Sequence, residues 1–396
     1  MNNFINIFIN KLNSKIIILF FILVTIFSLI SVLHALRIAN TGALGGGIDF
    51  QFSPSVLFVD KINPYEYFLD GNKDDKIMYA QWPSYAHLTY ILLSPFTFLD
   101  WENARFLWSI INLSLAIFCV VFLSKQKKLS SSKTFLACLL FLCSSPFRNC
   151  IGTGNQTFLI LFLFLSFFID NHKIKNFCLG ISFIKYTFSP VLVFFIYFKN
   201  DFKGLLFSSL SCVFGWFIFS LYLDQNIFET LLQPLKVAFV GFHQDSARSD
   251  IYTIIGYFNH FSEFIYFNFV RIFLVIIFSI IIARDILKIK GNFNNLNLIL
   301  ISSLFLFPHL MYDFIVLLPA FVYSLSKLKF SLAKFSILII LYFWIGIRLK
   351  DYILYFIQNK NLILSPISTI SQSQVIINFL VLLILYYLNK KLVLLK

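Results

Sequence analysis

Long apolar runs alternate with short polar breaks along almost the whole chain. The first is Lys15–Leu36. Others follow at 86–99, 104–124, 134–147, 156–170, 174–198 and 204–223, then at 264–287, 296–307, 313–325, 332–347 and 373–388. Several reach about 20 residues, the length a helix needs to cross a hydrocarbon core of about 30 Å. The pattern predicts an all-α polytopic membrane protein with roughly 10–13 membrane segments. A single integral membrane domain would then occupy 1–396, interrupted by two long polar stretches at 37–85 and 224–263. The first run is too long for the apolar part of a signal peptide and lacks a small-x-small cleavage site, so it reads as a retained span.

Some runs are short and broken by Pro or Gly, at Pro95, Pro146, Gly154, Pro190 and Pro308. Broken helices persist at membrane depth only where they line a cavity or are buried in protein, which is a sign of a working site.

The Lys and Arg residues orient the segments. They cluster at Lys11/Lys15, Lys125/Lys127/Lys128/Lys133, Lys173/Lys175, Lys199/Lys203, Arg284/Lys288/Lys290, Lys327/Lys329/Lys334 and Lys390/Lys391. With these on the cytoplasmic side, both long polar stretches fall outside, together with the connectors at 148–156, around Lys185 and at 308–313. One conflict follows: if 86–99 and 104–124 both cross, Lys125–Lys128 lands on the outer side. Either 86–99 is a re-entrant or interfacial helix, or the positive-inside rule fails at that loop.

Composition agrees with the pattern. Hydrophobic residues make up 59% of the 396, charged residues only 13%, and mean hydropathy is +0.83. A soluble domain needs far more charge on its surface. The net charge of +14 reads as cytoplasmic loop anchors and not as a nucleic-acid footprint. The 53 Phe, beside abundant Ile, Asn and Lys, fit an A/T-rich genome, because lipid tails accept Phe as readily as Leu. Cys119, Cys138, Cys143, Cys150, Cys178 and Cys212 lie in or beside apolar stretches without metal-type spacing, and read as packing residues.

An ionisable group near a membrane span is costly and therefore a functional candidate. Setting loop anchors aside leaves Asp49, Arg148, Lys185, Arg248, Asp250, His309 and Asp313, all on the outer side in this orientation. Asp49 follows three glycines in Gly45-Gly46-Gly47-Ile48-Asp49-Phe50. A partly desolvated carboxylate there has a raised pKa and is placed to act as a general base, although a loop-turn Asp fits equally. Arg148, before Gly152-Thr153-Gly154-Asn155-Gln156, offers a planar fork suited to phosphate, with amide donors from Asn155 and Gln156 beside it. An interfacial anchor is the alternative. Lys185 interrupts an apolar run and needs a partner; a lipid phosphate is one. His309, Tyr312 and Asp313, at helical spacing, would share one face, with Asp313 orienting the imidazole. Arg248 and Asp250 fit a solvated loop as well as a site. No P-loop, HExxH, GxSxG or dinucleotide fingerprint occurs.

The order of these motifs resembles glycosyltransferase family 87, the polyprenol-phosphate-mannose-dependent mannosyltransferases of the GT-C membrane fold. Gly47-Ile48-Asp49-Phe50 and Asn63-Pro64-Tyr65 are similar to that family's Asp-Phe and later Pro-Tyr, and Gln81-Trp82-Pro83-Ser84 stands where it often has Tyr-Pro-Pro. Ser94-Pro95-Phe96, Ala104-Arg105-Phe106-Leu107-Trp108, Gly154-Asn155-Gln156, Ile184–Pro190 and Phe307–Asp313 continue the series. The chain departs from it at Tyr186, where a Pro is usual. The resemblance, over about 45–320, implies a GT-C type helix bundle with long outer loops in the cell (inner) membrane. It implies transfer of a hexose, mannose or one like it, from a polyprenyl-phosphate donor to an acceptor hydroxyl on a glycolipid, glycan or protein at the outer face. Inversion is implied, with no cofactor and no obligatory metal. Asp49 would be the base, Arg148, Lys185 and Arg248 would hold the phosphate, and His309 with Asp313 would do the same or grip the sugar. A polysaccharide polymerase or ligase and a secondary transporter are the competing readings, though no internal repeat supports the transporter.

Overall fold

The computed structural model describes residues 2–41, 47–71, 81–241, 249–257, 267–347, 349 and 372–395. Arg248 lies outside them. The described residues are mostly helical, with no strand among them.

A long first helix, α1 (Asn2–Thr41), is followed by the short α2 (Phe52–Val59), α3 (Pro64–Leu69) and α4 (Leu88–Leu93), the last prolonged by a 3-10 turn to Phe98. Next come α5 (Trp101–Gln126), α6 (Ser131–Leu142), α7 (Ser145–Thr153), and α8 (Thr157–Phe164) with a 3-10 turn to Phe168. After α9 (His172–Ile181), α10 (Ser189–Phe198) and α11 (Phe202–Tyr222), the second polar stretch carries α12 (Ile227–Leu231), α13 (Gln233–Gly241) and α14 (Ile251–Gly256). The bundle is completed by α15 (Phe267–Leu287), α16 (Asn292–Leu306), α17 (Leu318–Ser326), α18 (Ser331–Leu341) and α19 (Gln372–Leu394).

Among the described residues, four stretches are long and apolar enough to cross a membrane as single helices: Phe21–Thr41 of α1, α5, α11 and α19. The pair α6 and α7, bent by 59° where Ser145-Pro146 starts a new helix, makes a fifth. Bulky side chains such as Phe27, Phe214, Phe273 and Ile384 are exposed on α1, α11, α15 and α19. An apolar surface of this kind suits lipid and not water. The protein is an all-α polytopic membrane protein.

The chain runs back and forth between two ends. At one end the basic connectors meet: the Lys127 ammonium lies 4.0 Å from the Phe293 ring and 4.6 Å from that of Tyr323. There too Lys133 donates to the Leu325 carbonyl, Arg284 lies over Phe198, and Lys390 pairs with Asp285 at 2.7 Å. The opposite end gathers the polar stretches and the chain breaks. Leu88–Phe98 is about 16 Å long, about half a crossing. With that segment kept at the second end, α5 alone carries the chain across, and Lys125–Lys128 joins the other basic clusters. The length of Leu88–Phe98 fits the re-entrant or interfacial alternative.

Both stretches expected to be loops fold into short helices, and the start signals are local. Asn63 accepts from the Tyr65 and Glu66 amides with Pro64 in the first turn, Asn226 caps α12, and Asp250 caps α14. The stretches also grip each other. Asn63 donates to Gln225 and Gln233, and those two amides donate to the two oxygens of Glu66 at 2.7 and 2.9 Å.

Candidate active site

Three of the short apolar helices bear on the site, each too short to cross alone: Thr157–Phe168, Tyr186–Phe198 and Asn292–Leu306. At 1.5 Å per residue they measure about 18–23 Å, roughly 10 Å less than a hydrocarbon core. Their ends away from the basic connectors are where the backbone breaks. These breaks, with the turn at Gly47–Phe50, assemble one polar cluster.

The first break joins α7 to α8. Ser144 and Pro146 start α7, and Gly154 ends it at φ +73°, a conformation that favours glycine. Asn155 then turns the chain, its Oδ1 accepting from the Thr157 amide at 2.9 Å. The Trp108 indole donates to the Gly154 carbonyl at 2.7 Å and fixes the turn against α5.

The second break is Lys185. It sits at φ −106°, ψ 81° between two short 3-10 turns, outside any helical ladder. Its ammonium reaches Asp313 Oδ1 at 2.5 Å, Thr157 Oγ1 at 2.9 Å and Asn155 Oδ1 at 3.3 Å. The rings of Tyr312, Phe188 and Tyr85 surround it at 4.8, 5.7 and 5.9 Å.

The third break follows α16. Phe307 and Leu310 are extended, and a 3-10 turn runs Met311–Leu317. His309 is therefore not on a helix with Tyr312 and Asp313, as their spacing predicts. The Asp313 side chain instead folds back, accepting from the Leu310 amide at 3.3 Å and meeting His309 Nδ1 at 3.0 Å. The three residues still converge, by way of a cap. Both His309 and Asp313 are buried, and Phe188 packs on the imidazole at 4.4 Å between ring centres.

The turn bearing Asp49 docks on the end of α7. The Gly47 and Asp49 amides donate to the carbonyls of Gly152 and Thr153, both at 2.9 Å. Gln81 bridges the turn to α2, donating to the Gly47 carbonyl at 2.7 Å and accepting from the Ser53 amide at 2.8 Å. Gln156 donates to the Phe50 carbonyl at 2.9 Å. The Phe50 ring stacks on Trp108 at 5.4 Å. So held, the Asp49 carboxylate lies beside the Tyr312 and Thr153 hydroxyls and faces Lys185 and Asp313. It lies in a turn outside the spans. Burial pushes its pKa up to about 6, against the opposing pull of Lys185 and of the neighbouring hydroxyls.

Six of the residues singled out in the sequence, Asp49, Asn155, Lys185, His309, Tyr312 and Asp313, are thus brought together. Gln156 belongs to the scaffold of the Asp49 turn. Arg148 is not in the cluster: it donates to Ser145 Oγ at 3.2 Å and lies near His34 of α1. Asp250, read as equally at home in a solvated loop, is buried, where it caps α14 beside Arg271. Two members were missed. Thr157 bridges Asp313 at 2.6 Å, and Tyr85 accepts from Asn155 Nδ2 at 2.9 Å. Thr157 directly follows the Gly154-Asn155-Gln156 motif; Tyr85 has only its place after Pro83-Ser84.

The family model of glycosyltransferase family 87 matches residues 84–308. That is more than half of the chain, which belongs to this family. No curated protein and no solved structure matches. Tyr85, Asn155, Thr157 and Lys185 fall within the matched span, whereas Asp49 and His309–Asp313 fold onto it from either side.

Proposed function

We propose that this glycosyltransferase moves a hexose, mannose or one like it, from a polyprenyl-phosphate donor to an acceptor hydroxyl at the outer face of the membrane, with inversion and with Asp49 as general base. The observation that carries the reading is the juxtaposition of a partly desolvated carboxylate with one ammonium, at the end of the bundle away from the basic connectors. The basic connectors mark the cytoplasmic side, so the cluster faces outward and about 10 Å below the far surface by helix length. A phosphate whose prenyl tail stays in the bilayer reaches such a depth without leaving lipid.

The chemistry follows from the charges. The acceptor oxygen attacks the anomeric carbon, its proton passes to the Asp49 carboxylate, and the bond from that carbon to the phosphate oxygen breaks. The leaving phosphate keeps the electron pair, and Lys185 stabilises the charge it gains. A base ionising at about 6 is mostly deprotonated at neutral pH yet more proton-seeking than an ordinary carboxylate. His309, oriented by Asp313, meets the sugar or the phosphate. Acceptors remain a glycolipid, a glycan or a protein.

The test uses purified protein in liposomes with radiolabelled polyprenyl-phosphate mannose, the wild type beside Asp49→Asn. Sugar transfer or slow donor hydrolysis by the wild type, lost in the variant while donor still binds, supports the reading. If the wild type consumes no polyprenyl-phosphate hexose but carries a solute across the liposome membrane, the reading is wrong.

A further inference from the structure

An ammonium has three protons and accepts nothing. In Lys185 all three are directed at protein oxygens: Asp313 Oδ1, Thr157 Oγ1 and Asn155 Oδ1. The group best suited to meet a ligand phosphate therefore has no donor to spare. Asp313 shows what occupies the place. Its Oδ1 takes the Lys185 ammonium and the Thr157 hydroxyl, while its Oδ2 takes the Leu310 amide and faces His309 Nδ1. A cation, a hydroxyl, a backbone N–H and an imidazole around one buried anion are the surroundings a phosphate oxygen requires.

We propose that the Lys185 pocket is an anion site that the protein fills with its own carboxylate, so that a ligand's phosphate and Asp313 compete for Lys185 and Thr157. The proposal rests on the reading of Lys185 as the cation that meets the donor phosphate. Its physical logic has two parts. An ammonium among Tyr85, Phe188 and Tyr312 is costly to leave unpaired, so the empty site needs an internal counter-ion. The four-carbon stem of a lysine lets the ammonium swing from one anion to another, while Leu310 N and His309 keep Asp313 in place. Return of Lys185 to Asp313 after transfer then helps expel the prenyl phosphate, which makes Asp313 a positioning residue for product release.

The competition is measured by titrating full-length protein in detergent with inorganic phosphate and, separately, with a short-chain prenyl phosphate. Asp313→Asn is expected to bind both at least tenfold more tightly than wild type, and Asp313→Glu to return towards wild type. In the transfer assay Asp313→Asn lowers the donor KM and also kcat, because release slows. The gain disappears in the Lys185→Met, Asp313→Asn double variant, which separates this site from the basic end of the bundle. Should Asp313→Asn fold only in phosphate buffer, that rescue is itself the expected behaviour. If it does not fold at all, Thr157→Ala frees one Lys185 proton without changing charge, and tightens phosphate binding about threefold. Unchanged or weaker phosphate binding in Asp313→Asn, or in Thr157→Ala where the first fails to fold, overturns the proposal. So does a wild type and variant set that bind neither anion; sugar transfer by the wild type would in that case still stand on its own assay.

Discussion

The pH dependence of sugar transfer tests the role of Asp49 most directly. The side chain is held between Tyr312 and Thr153 in a turn pinned by Gln81 and Gln156, and its burial raises its pKa from 3.8 to about 6. A base must be ionised to work. At pH 5 a carboxyl titrating at about 6 is only about one-tenth ionised, whereas one titrating near 4 is about nine-tenths ionised. Transfer by the wild type at limiting donor should therefore fall about tenfold between pH 7 and pH 5. Asp49→Asn should lose about 10²–10⁴ in kcat at pH 7, the usual worth of a positioned base, and the residual rate should lack that acid limb. Stability moves the other way. The folded-state value is raised, so the protonated carboxyl contributes stability below about pH 4 that is lost as pH rises through about 6. Asp49→Asn flattens thermal unfolding across the same window. Radiolabelled donor assayed from pH 4.5 to 8, beside melting curves of both proteins, gives the two readouts. An acid limb that persists unchanged in Asp49→Asn, or wild-type activity level down to pH 5, would refute the assignment.

Other expectations follow from single contacts. Gly47 sits at φ +77°, and a Cβ there would lie 2.6 Å from the Trp101 ring. Gly47→Ala should cost about 2–4 kcal/mol in thermal unfolding, from the left-handed backbone and the overlap together, and displace Asp49 enough to cut transfer about a hundredfold. Where α9 crosses α11, a Cβ on Gly180 would meet the Ser208 carbonyl at 2.1 Å and Ser211 Oγ at 2.2 Å. Gly180→Ala forces the helices apart and should cost about 3 kcal/mol, seen as early melting in detergent. Lys185→Met leaves the Asp313 carboxylate buried without its counter-ion and should destabilise by about 3–5 kcal/mol as well as abolish transfer. Arg148→Ala, outside the cluster, should keep transfer within about threefold of wild type by the same assay, as a substitution away from the reacting groups does.

The long spans Phe21–Thr41, α5, α11 and α19 were legible because lipid imposes one rule on a single-helix crossing, about 20 apolar residues; the shorter helices do not follow it. The polar stretches were harder to read. Asn63-Pro64 and Asp250 carry their helix starts in plain view, but a helix of six residues has too few turns for its periodicity to stand out from a loop. The ambiguity over 86–99 arose for a related reason. Fourteen apolar residues are the length at which a core helix and a half-crossing look alike, and the 3-10 turn at Ser94-Pro95 that shortens the helix is not written in hydropathy.

The cluster was legible in its charges and not in its connections. Lys185 and Asp313 each announce themselves as ionisable groups at an apolar run, because the cost of burying charge is local. That they pair is a fact about residues 128 apart in sequence, and no pattern within a window reports it. Thr157 shows the limit best. A threonine opening an apolar helix is unremarkable, since its hydroxyl can be satisfied within its own turn. Its weight comes from Asp313, 156 residues away, and from Lys185, 28 away. Arg148 differs: the Gly-rich turn beside it fits a phosphate on paper, and in the fold its guanidinium donates to Ser145 and lies near His34 of α1. In a helical membrane bundle the identity of a charged residue predicts that it has a partner. Only the crossing of helices decides which partner, and the breaks at Asn155, Lys185 and His309 are where this chain makes that decision.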